Sequence, residues 1–121
     1  MFPHSSRAPS LSVQEAHTRT GSDRPATVLL DVREAVEWAA GHAPGAVHAP
    51  LSGLAAGGVL PASVRGRSLA VICRSGHRSQ QAATLLAQRG EDTVNVEGGM
   101  NAWAAAGYPV VDEHGNHGSI A

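Results

Sequence analysis

The sequence predicts an α/β fold in which a small central parallel sheet is flanked by helices. Three short runs, TVLLD (27–31), SLAVIC (68–73) and DTVNV (92–96), are predicted to be strands, and the first two have the continuous apolar pattern of strands that are covered on both faces. Segments with helical periodicity separate these runs, which is typical of parallel strands joined through helices. The clearest is 79–89, where alanines and leucines alternate with glutamines.

The chain divides into a domain and two tails. Residues 1–9 are polar and proline-containing, and we predict a disordered N-terminal tail. The domain covers residues 10–110, and its first element is a short helix whose start is indicated by Ser10 or Ser12 followed by Glu15. Residues 111–121 are predicted to form a flexible C-terminal tail.

The middle of the domain follows the first predicted strand. EAVEWAAG (34–41) predicts a helix that stops at Gly41. A Pro-Gly pair at 44–45 predicts a turn, and a short strand is expected around residues 46–49. Residues 51–66 are rich in glycine and alanine and are predicted to be a loop with one helical turn.

The last elements are a strand, a turn and a helix. After the run at 92–96, Gly98 and Gly99 predict a tight turn into the helix MNAWAAAG, which Gly107 ends. Trp103 on this helix and Trp38 on the earlier one are expected to pack against neighbouring elements rather than to bind a ligand.

Composition excludes several classes of function. At 121 residues the chain is sufficient for one core. Nine basic and ten acidic residues give a net charge of -1, which argues against general binding to nucleic acid or to an anionic membrane. A single cysteine excludes an internal disulfide, and no run of about 18 apolar residues predicts a membrane span. We therefore expect a cytoplasmic protein; the sequence carries no signal for its oligomeric state.

That cysteine, Cys73, ends the second apolar run and precedes the predicted helix. In open parallel sheets, ligands bind beyond the carboxyl ends of the strands. The turn after Cys73 leads to a helix that starts near Arg78 or Ser79, and main-chain N–H groups in such a turn form a cradle for an anion. Gly76 permits tight curvature, and two nearby arginines favour the thiolate, which is the nucleophilic form of cysteine.

Four stretches together identify a family resemblance. They are LLDVREAVEW (29–38), GHAPGAVHAPL (41–51), VICRSGHRSQQAA (71–83) and VEGGMNAWAAAGYPV (96–110). In this order they resemble the single-domain rhodanese-like sulfurtransferases over nearly the whole domain. The resemblance implies a three-layer rhodanese-like fold, in which a small central parallel sheet is flanked by helices.

The resemblance also implies a reaction. Cys73 would accept a sulfane sulfur from a donor such as thiosulfate, hold it as a persulfide and pass it to a thiophilic acceptor such as cyanide or a thiol. The partners would thus be a small anionic donor and a thiophilic acceptor, for which a sulfur-carrier protein is one candidate, and neither a metal nor an organic cofactor is expected. The predicted substrate-binding residues are those of the turn: Arg74, Ser75, Gly76, His77, Arg78 and Ser79.

Some residues of the turn have one expected role, whereas others have alternatives. The guanidinium groups of Arg74 and Arg78 suit a sulfonate and the departing sulfite. Ser75 and Ser79 either donate hydroxyl hydrogen bonds to the anion or cap the helix. For His77 three roles stay open: it favours an anionic donor when protonated, takes part in acid/base chemistry or simply faces solvent.

Two other functions stay open at this stage. Phosphatases and arsenate reductases of the same fold have one more residue between the cysteine and the arginine, whereas Cys73 to Arg78 spans six residues inclusive. A smaller ring of amides fits one sulfur atom better than a tetrahedral oxyanion. A non-catalytic docking module is the other alternative, but family members with that role often lack the cysteine.

Other polar residues are expected to have structural roles. Asp31 and Arg33 are predicted to form an ion pair near a strand end, and His42 and His48 to bond to backbone groups. Two histidines of the C-terminal tail, at 114 and 117, have a spacing that suits weak metal binding, but a solvated tail is the preferred interpretation.

Overall fold

The computed structural model describes residues 8–121; the predicted disordered tail at 1–9 lies mostly outside them. Ten elements follow one another along the described chain. They are β1 (Ser10–Leu11), α1 (Val13–Thr20), β2 (Thr27–Asp31), α2 (Ala35–Ala40), β3 (Val47–His48), α3 (Leu51–Ala55), β4 (Ser68–Ile72), α4 (His77–Gln88), β5 (Asp92–Val96) and α5 (Gly99–Ala105).

The five strands form one parallel sheet with the order β1-β5-β4-β2-β3. The predicted α/β class with a parallel sheet is therefore confirmed. β4 occupies the middle of the sheet, between β5 and β2. Because all strands run in one direction, the residues that follow β2, β4 and β5 meet at the same edge.

Helices cover both faces of the sheet, which gives the predicted three layers. Alternate strand residues point to opposite faces. Leu69 and Val71 of β4 pack in one apolar cluster with α4 and α3, while Ala70 and Ile72 pack in a second cluster with α1 and α5. Strands that bury both faces read as continuous apolar runs, which is why β2 and β4 were recognisable in the sequence.

The start of the domain is more ordered than the sequence predicts. Of the two candidate cap residues, Ser12 caps α1, and its Oγ accepts a hydrogen bond of 3.1 Å from the N–H of Glu15. The two preceding residues form β1, which pairs with the edge of β5. A two-residue strand is too short to carry a periodic pattern, so it could not be predicted from the sequence.

The segment 111–121 contacts α2. Val111 exchanges backbone hydrogen bonds with His42, and the N–H of Ser119 donates to the carbonyl of Ala40. A Cβ on Gly41 would lie 2.3 Å from the carbonyl oxygen of Ser119, so this close approach requires glycine at the end of α2. The sequence predicts a flexible tail here; the structure gives it defined partners, and its flexibility in solution stays a prediction.

Among residues 8–121, no helix is both long enough and apolar enough to cross a bilayer.

Candidate functional site

Cys73 is the first residue after β4, the central strand. It is 1% exposed and belongs to the apolar cluster that includes Ala82, Ala83 and Leu86 of α4. Its thiol is free. The alternation of side chains along β4 thus continues through Cys73 and places its sulfur under the first turns of α4.

Two groups of the following turn reach the sulfur atom. The N–H of Gly76 donates to Cys73 Sγ over 3.0 Å, and the hydroxyl oxygen of Ser79 lies 3.2 Å from the same atom. Ser79 is fully buried in the first turn of α4. Two of the residues predicted to surround the thiol therefore contact it directly.

The conformation of Gly76 shapes the turn. Its φ of 109° lies in a region that side chains disfavour, and it is the residue immediately before α4. α4 begins at His77, one residue before the earlier of the two predicted starts, Arg78 and Ser79. The N–H groups of the first helical turn have no acceptor within the helix, so the positive end of α4 adjoins the sulfur.

The N-terminus of α5 fixes the other side of the turn. The N–H of Met100 donates to the carbonyl of Cys73 over 2.7 Å, and the N–H of Asn101 donates to the carbonyl of Arg74 over 3.0 Å. Every peptide bond described is trans. In a trans peptide the N–H points opposite to the C=O, so the N–H groups of Arg74 and Ser75 point away from α5. This is the orientation that an inward-facing amide cradle requires.

Gly99 permits this contact. A Cβ at this position would lie 2.4 Å from the carbonyl oxygen of Cys73 and 2.7 Å from that of Arg74, and Gly99 also has a φ of +57°. The predicted tight turn at Gly98 and Gly99 is confirmed, since both have positive φ. Its second glycine allows the α5 backbone to approach the cysteine loop.

The two arginines of the loop have different surroundings. Arg78 forms a two-pronged ion pair with Glu37 of α2, with Nη1 to Oε1 at 2.6 Å and Nη2 to Oε2 at 2.8 Å. Arg74 is exposed. The sequence assigns both side chains to an anion, but the structure directs the guanidinium of Arg78 to Glu37 and leaves Arg74 at the surface of the loop.

This ion pair perturbs both of its partners. The hydrogen bonds from Arg78 are the main reason that the pKa of Glu37 falls to about 2, against a desolvation effect that raises it. The same bonds to Glu37 raise the pKa of Arg78, and the interaction with Cys73 acts in the same direction. Glu37 therefore stays ionised at pH values well below its ordinary pKa of 4.5. The pairing that causes this shift was not predicted from the sequence.

A pocket of about 340 Å³ opens beside the loop. Ser75 and His77 are exposed at its edge. The pocket lies between the cysteine turn, the first turns of α4 and the carboxyl end of β5, and the residues lining it are Ser75, Gly76, His77, Gln80, Gln81, Asn95, Glu97 and Gly98.

Asp31 and Arg33 form the predicted ion pair at the end of β2. Both side chains are fully buried, and the closest oxygen and nitrogen are 2.9 Å apart. Arg33 also donates to the carbonyl of Gly41 over 2.6 Å. The pair joins β2 to the end of α2, and its hydrogen bonds go to each other and to Gly41, which supports the structural interpretation.

The histidines of the 41–51 stretch bond to backbone oxygens, as predicted. His42 Nδ1 lies 2.7 Å from the carbonyl oxygen of Trp38, and His48 Nε2 lies 2.7 Å from that of Arg33. The ring of Trp38 stacks with both imidazoles, with centroid distances of 3.6 Å to His42 and 4.7 Å to His48. Trp38 therefore packs rather than offering a binding platform.

Trp103 packs in the cluster under α1 and α5, and its indole N–H donates to the carbonyl of Pro109. The tail histidine His114 lies near Glu113, with 3.5 Å between Nε2 and Oε1. Within residues 8–121 no group of three or more His, Cys, Asp or Glu side chains is placed to hold a metal ion.

Sequence reasoning missed two polar residues at the site. Glu37 is one, and its signal was a second acidic residue in the helix that follows the Asp31 strand. Asn95 is the other: it accepts a hydrogen bond of 2.6 Å from Ser79, which itself contacts Cys73. The available signal was a polar residue between the two valines of the strand DTVNV.

Comparison with known proteins agrees with this arrangement. The family model of the rhodanese-like domain matches residues 12–106, most of the chain. A protein of Allochromatium vinosum named sulfurtransferase is 34% identical over 99 residues, which cover 78% of this chain and 87% of that protein.

Solved structures give the same result. A rhodanese-related protein from Thermoplasma volcanium is 33% identical, with a TM-score of 0.71 and coverage of 85% of this chain and 97% of that one. The rhodanese-like domain of an Anabaena protein, determined by solution NMR, is 29% identical, with a TM-score of 0.72 and coverage of 86% and 79%. By sequence, by fold and by the cysteine turn at the end of its central strand, this chain belongs to the rhodanese-like domain family.

Proposed function

We propose that this protein is a sulfurtransferase of the thiosulfate type that works through a persulfide on Cys73. The observation that carries the proposal is the sulfur atom of Cys73 at the end of the central strand, 3.0 Å from the N–H of Gly76. A main-chain donor at this distance stabilises negative charge on sulfur in a place from which most water is excluded. The name of the relative from Allochromatium vinosum supports the same class of reaction.

The first step loads the enzyme. The thiolate of Cys73 attacks the outer sulfur of thiosulfate, the bond between the two sulfur atoms of thiosulfate breaks, and sulfite leaves with the bonding electrons. The product on the protein is a persulfide anion, so charge and atoms balance. Arg74, the exposed cation of the loop, is the residue we assign to the sulfonate of the donor and to the departing sulfite.

The second step removes the transferred sulfur from Cys73. An acceptor such as cyanide or a thiolate attacks the terminal sulfur of the persulfide, forms thiocyanate or a new persulfide, and regenerates the thiolate. Each displacement uses the same covalent intermediate, which predicts ping-pong kinetics. Neither step calls for a metal or an organic cofactor.

The size of the turn favours sulfur over a tetrahedral oxyanion. The stretch from Cys73 to Arg78 contains six residues, counting both ends, and Arg78 is already paired with Glu37. A phosphate would need the guanidinium of this arginine and a wider ring of amides. Phosphatase or arsenate reductase activity is therefore the less favoured alternative.

Physiological partners follow from the chemistry. We propose a small anionic donor and a thiol acceptor, either a small molecule or a sulfur-carrier protein. A persulfide enzyme with a single cysteine is suited to a reducing compartment, so we place it in the cytoplasm.

Thiocyanate formation from thiosulfate and cyanide tests the proposal. We expect parallel lines in double-reciprocal plots when both substrates are varied, and loss of activity by at least about a thousandfold in Cys73→Ser. A Cys73→Ser variant that retains the rate would rule the mechanism out. Hydrolysis of an aryl phosphate that depends on Cys73, without thiocyanate formation, would favour the phosphatase alternative instead.

A further inference from the structure

Three buried side chains form a continuous line from the nucleophile to the end of β5. Cys73 Sγ lies 3.2 Å from Ser79 Oγ, and Ser79 donates its hydroxyl hydrogen to Asn95 Oδ1 over 2.6 Å. The exposed fractions of the three residues are 1%, 0% and 5%. These groups therefore satisfy one another instead of bonding to bulk water.

The serine has only one hydrogen to donate. When this hydrogen is donated to Asn95, Ser79 Oγ can only accept a hydrogen bond from the sulfur, which requires a neutral thiol. When the sulfur is a thiolate or a persulfide anion, the best use of the hydroxyl is to donate to it. The Ser79 hydroxyl must then break its hydrogen bond to the side-chain oxygen of Asn95.

The amide of Asn95 fits both arrangements. Its oxygen accepts from Ser79 in the first, and after a half-turn of the side-chain amide its NH₂ group donates to Ser79 Oγ in the second. Asn95 also lines the pocket beside the loop. A leucine or an aspartate of similar size can support only one of the two arrangements.

We propose that Asn95 is a positioning residue for the nucleophile: its amide orientation directs the Ser79 hydroxyl toward or away from sulfur and so sets how readily Cys73 ionises. This role rests on the proposed function, because the anionic sulfur is the species that reacts in sulfur transfer. It differs from that function in what it predicts, since ionisation is measurable without sulfur transfer.

Other charges near the loop form a background that the Asn95 variants leave unchanged. Arg78 interacts electrostatically with Cys73 and is itself paired with Glu37. The buried Asp31 and Arg33 pair lies at the end of the adjacent β2. The remaining charged or titratable side chains of the turn and of the end of β5 are exposed, namely Arg74, His77 and Glu97.

The experiment measures the rate at which iodoacetamide alkylates Cys73 as a function of pH. In Asn95→Asp the carboxylate always accepts the serine hydrogen, so we expect the midpoint to rise and the rate at neutral pH to fall about tenfold. In Asn95→Leu the hydroxyl is free to donate to sulfur, and we expect the midpoint to fall below that of the wild type. Glu97→Gln, which alters an exposed carboxylate of the same pocket, is the control and should shift the midpoint less than either.

Repeating both substitutions in a Ser79→Ala background separates this relay from other causes. An added charge at position 95, or lost polarity there, would act on Cys73 with or without Ser79, whereas the relay acts only through its hydroxyl. We therefore expect the Leu shift to disappear in its double variant and the Asp shift to shrink to the part that its charge alone causes. A Leu shift that persists in full, an Asp shift that does not shrink, or shifts of the same sign for Asp and Leu would overturn the proposal.

Folding and sulfur transfer are controlled independently. A thermal melt of each variant shows whether it is folded, and if Asn95→Asp does not fold, the comparison of Asn95→Leu with its Ser79→Ala partner still decides the question. Alkylation needs no sulfur donor. Absence of thiocyanate formation in the wild type would therefore count against the proposed function alone, and absence of the alkylation shifts against the role of Asn95 alone.

Discussion

Glu37 and Arg78 form the ion pair that joins α2 to the first turn of α4. Their side chains are 16% and 35% exposed, and the two bonds are parallel, so the geometry is of the strong two-pronged kind. The pair holds the arginine of the cysteine loop in one position. The pair therefore fixes the start of α4 against α2.

This pair makes stability depend on acidity. The pKa of Glu37 is about 2 in the folded protein, below the ordinary 4.5. A carboxyl whose pKa is lowered by folding stabilises the folded state above its unfolded pKa, and that stabilisation is lost as pH falls toward the folded value. We expect the contribution, about 1–2 kcal/mol after allowance for solvent screening, to fade between about pH 4.5 and 2.

Urea unfolding of Glu37→Gln at several pH values tests this expectation. The variant should be less stable than the wild type at neutral pH, and the difference should shrink as the pH falls toward 2. The matched control is Glu91→Gln, whose carboxylate accepts a hydrogen bond from the exposed backbone N–H of Gly66. A stability difference for Glu37→Gln that stayed constant over this pH range would contradict the account of its ionisation.

At the level of elements, the cysteine turn is shaped by α5 as much as by α4. Two N–H groups from the start of α5 bind the carbonyls of Cys73 and Arg74, and Gly99 makes the approach possible. The turn therefore depends on residues that lie more than twenty positions later in the chain.

Gly99→Ala is predicted to displace the turn. The added Cβ would meet carbonyl oxygens at 2.4 and 2.7 Å, and backbone atoms cannot move aside as a flexible side chain would. We expect a loss of about 1–3 kcal/mol in unfolding free energy and a slower alkylation of Cys73.

Gly66→Ala is the control for backbone strain alone. Gly66 has a φ of +77°, yet a Cβ there would meet nothing within 4 Å. It should lose only the stability that positive φ costs and keep the wild-type alkylation rate. Equal alkylation rates in Gly99→Ala and Gly66→Ala would argue against a role for α5 in shaping the turn.

The sequence predicted the elements that carry a periodic or apolar pattern and the residues that carry a local motif. The runs around Leu29 and Ala70 identified the buried strands, and the position of Cys73 between a strand and a helix indicated the site. Contacts between distant segments left no local signal. The pairing of Arg78 with Glu37 and the line from Ser79 to Asn95 depend on how the sheet is ordered.

At the level of the whole molecule, the segment after α5 packs against the C-terminal end of α2. Its backbone bonds to His42 and Ala40 lie at the end of the same helix that supplies Glu37 to the cysteine loop. Gly41, at the end of α2, has a φ of 177°, so its role is to leave space for the segment rather than to adopt an unusual conformation.

Gly41→Ala is therefore predicted to release the segment. The new Cβ would lie 2.3 Å from the carbonyl oxygen of Ser119. We expect the amide of Ser119, which donates to Ala40, to exchange its hydrogen at least about tenfold faster in hydrogen-exchange measurements. Gly53→Ala, where the added methyl would meet nothing within 4 Å, should leave this rate unchanged. Unaltered exchange in Gly41→Ala would show that the contact with α2 does not hold the segment.

The persulfide on Cys73 is the central claim, and intact mass spectrometry after incubation with thiosulfate tests it most directly. We predict that the wild-type protein gains the mass of one sulfur atom, that peptide mapping places it on Cys73, and that cyanide removes it. Cys73→Ser should gain nothing. A wild-type protein that stays unmodified at every thiosulfate concentration, or an added sulfur on the Cys73→Ser variant, would contradict the account.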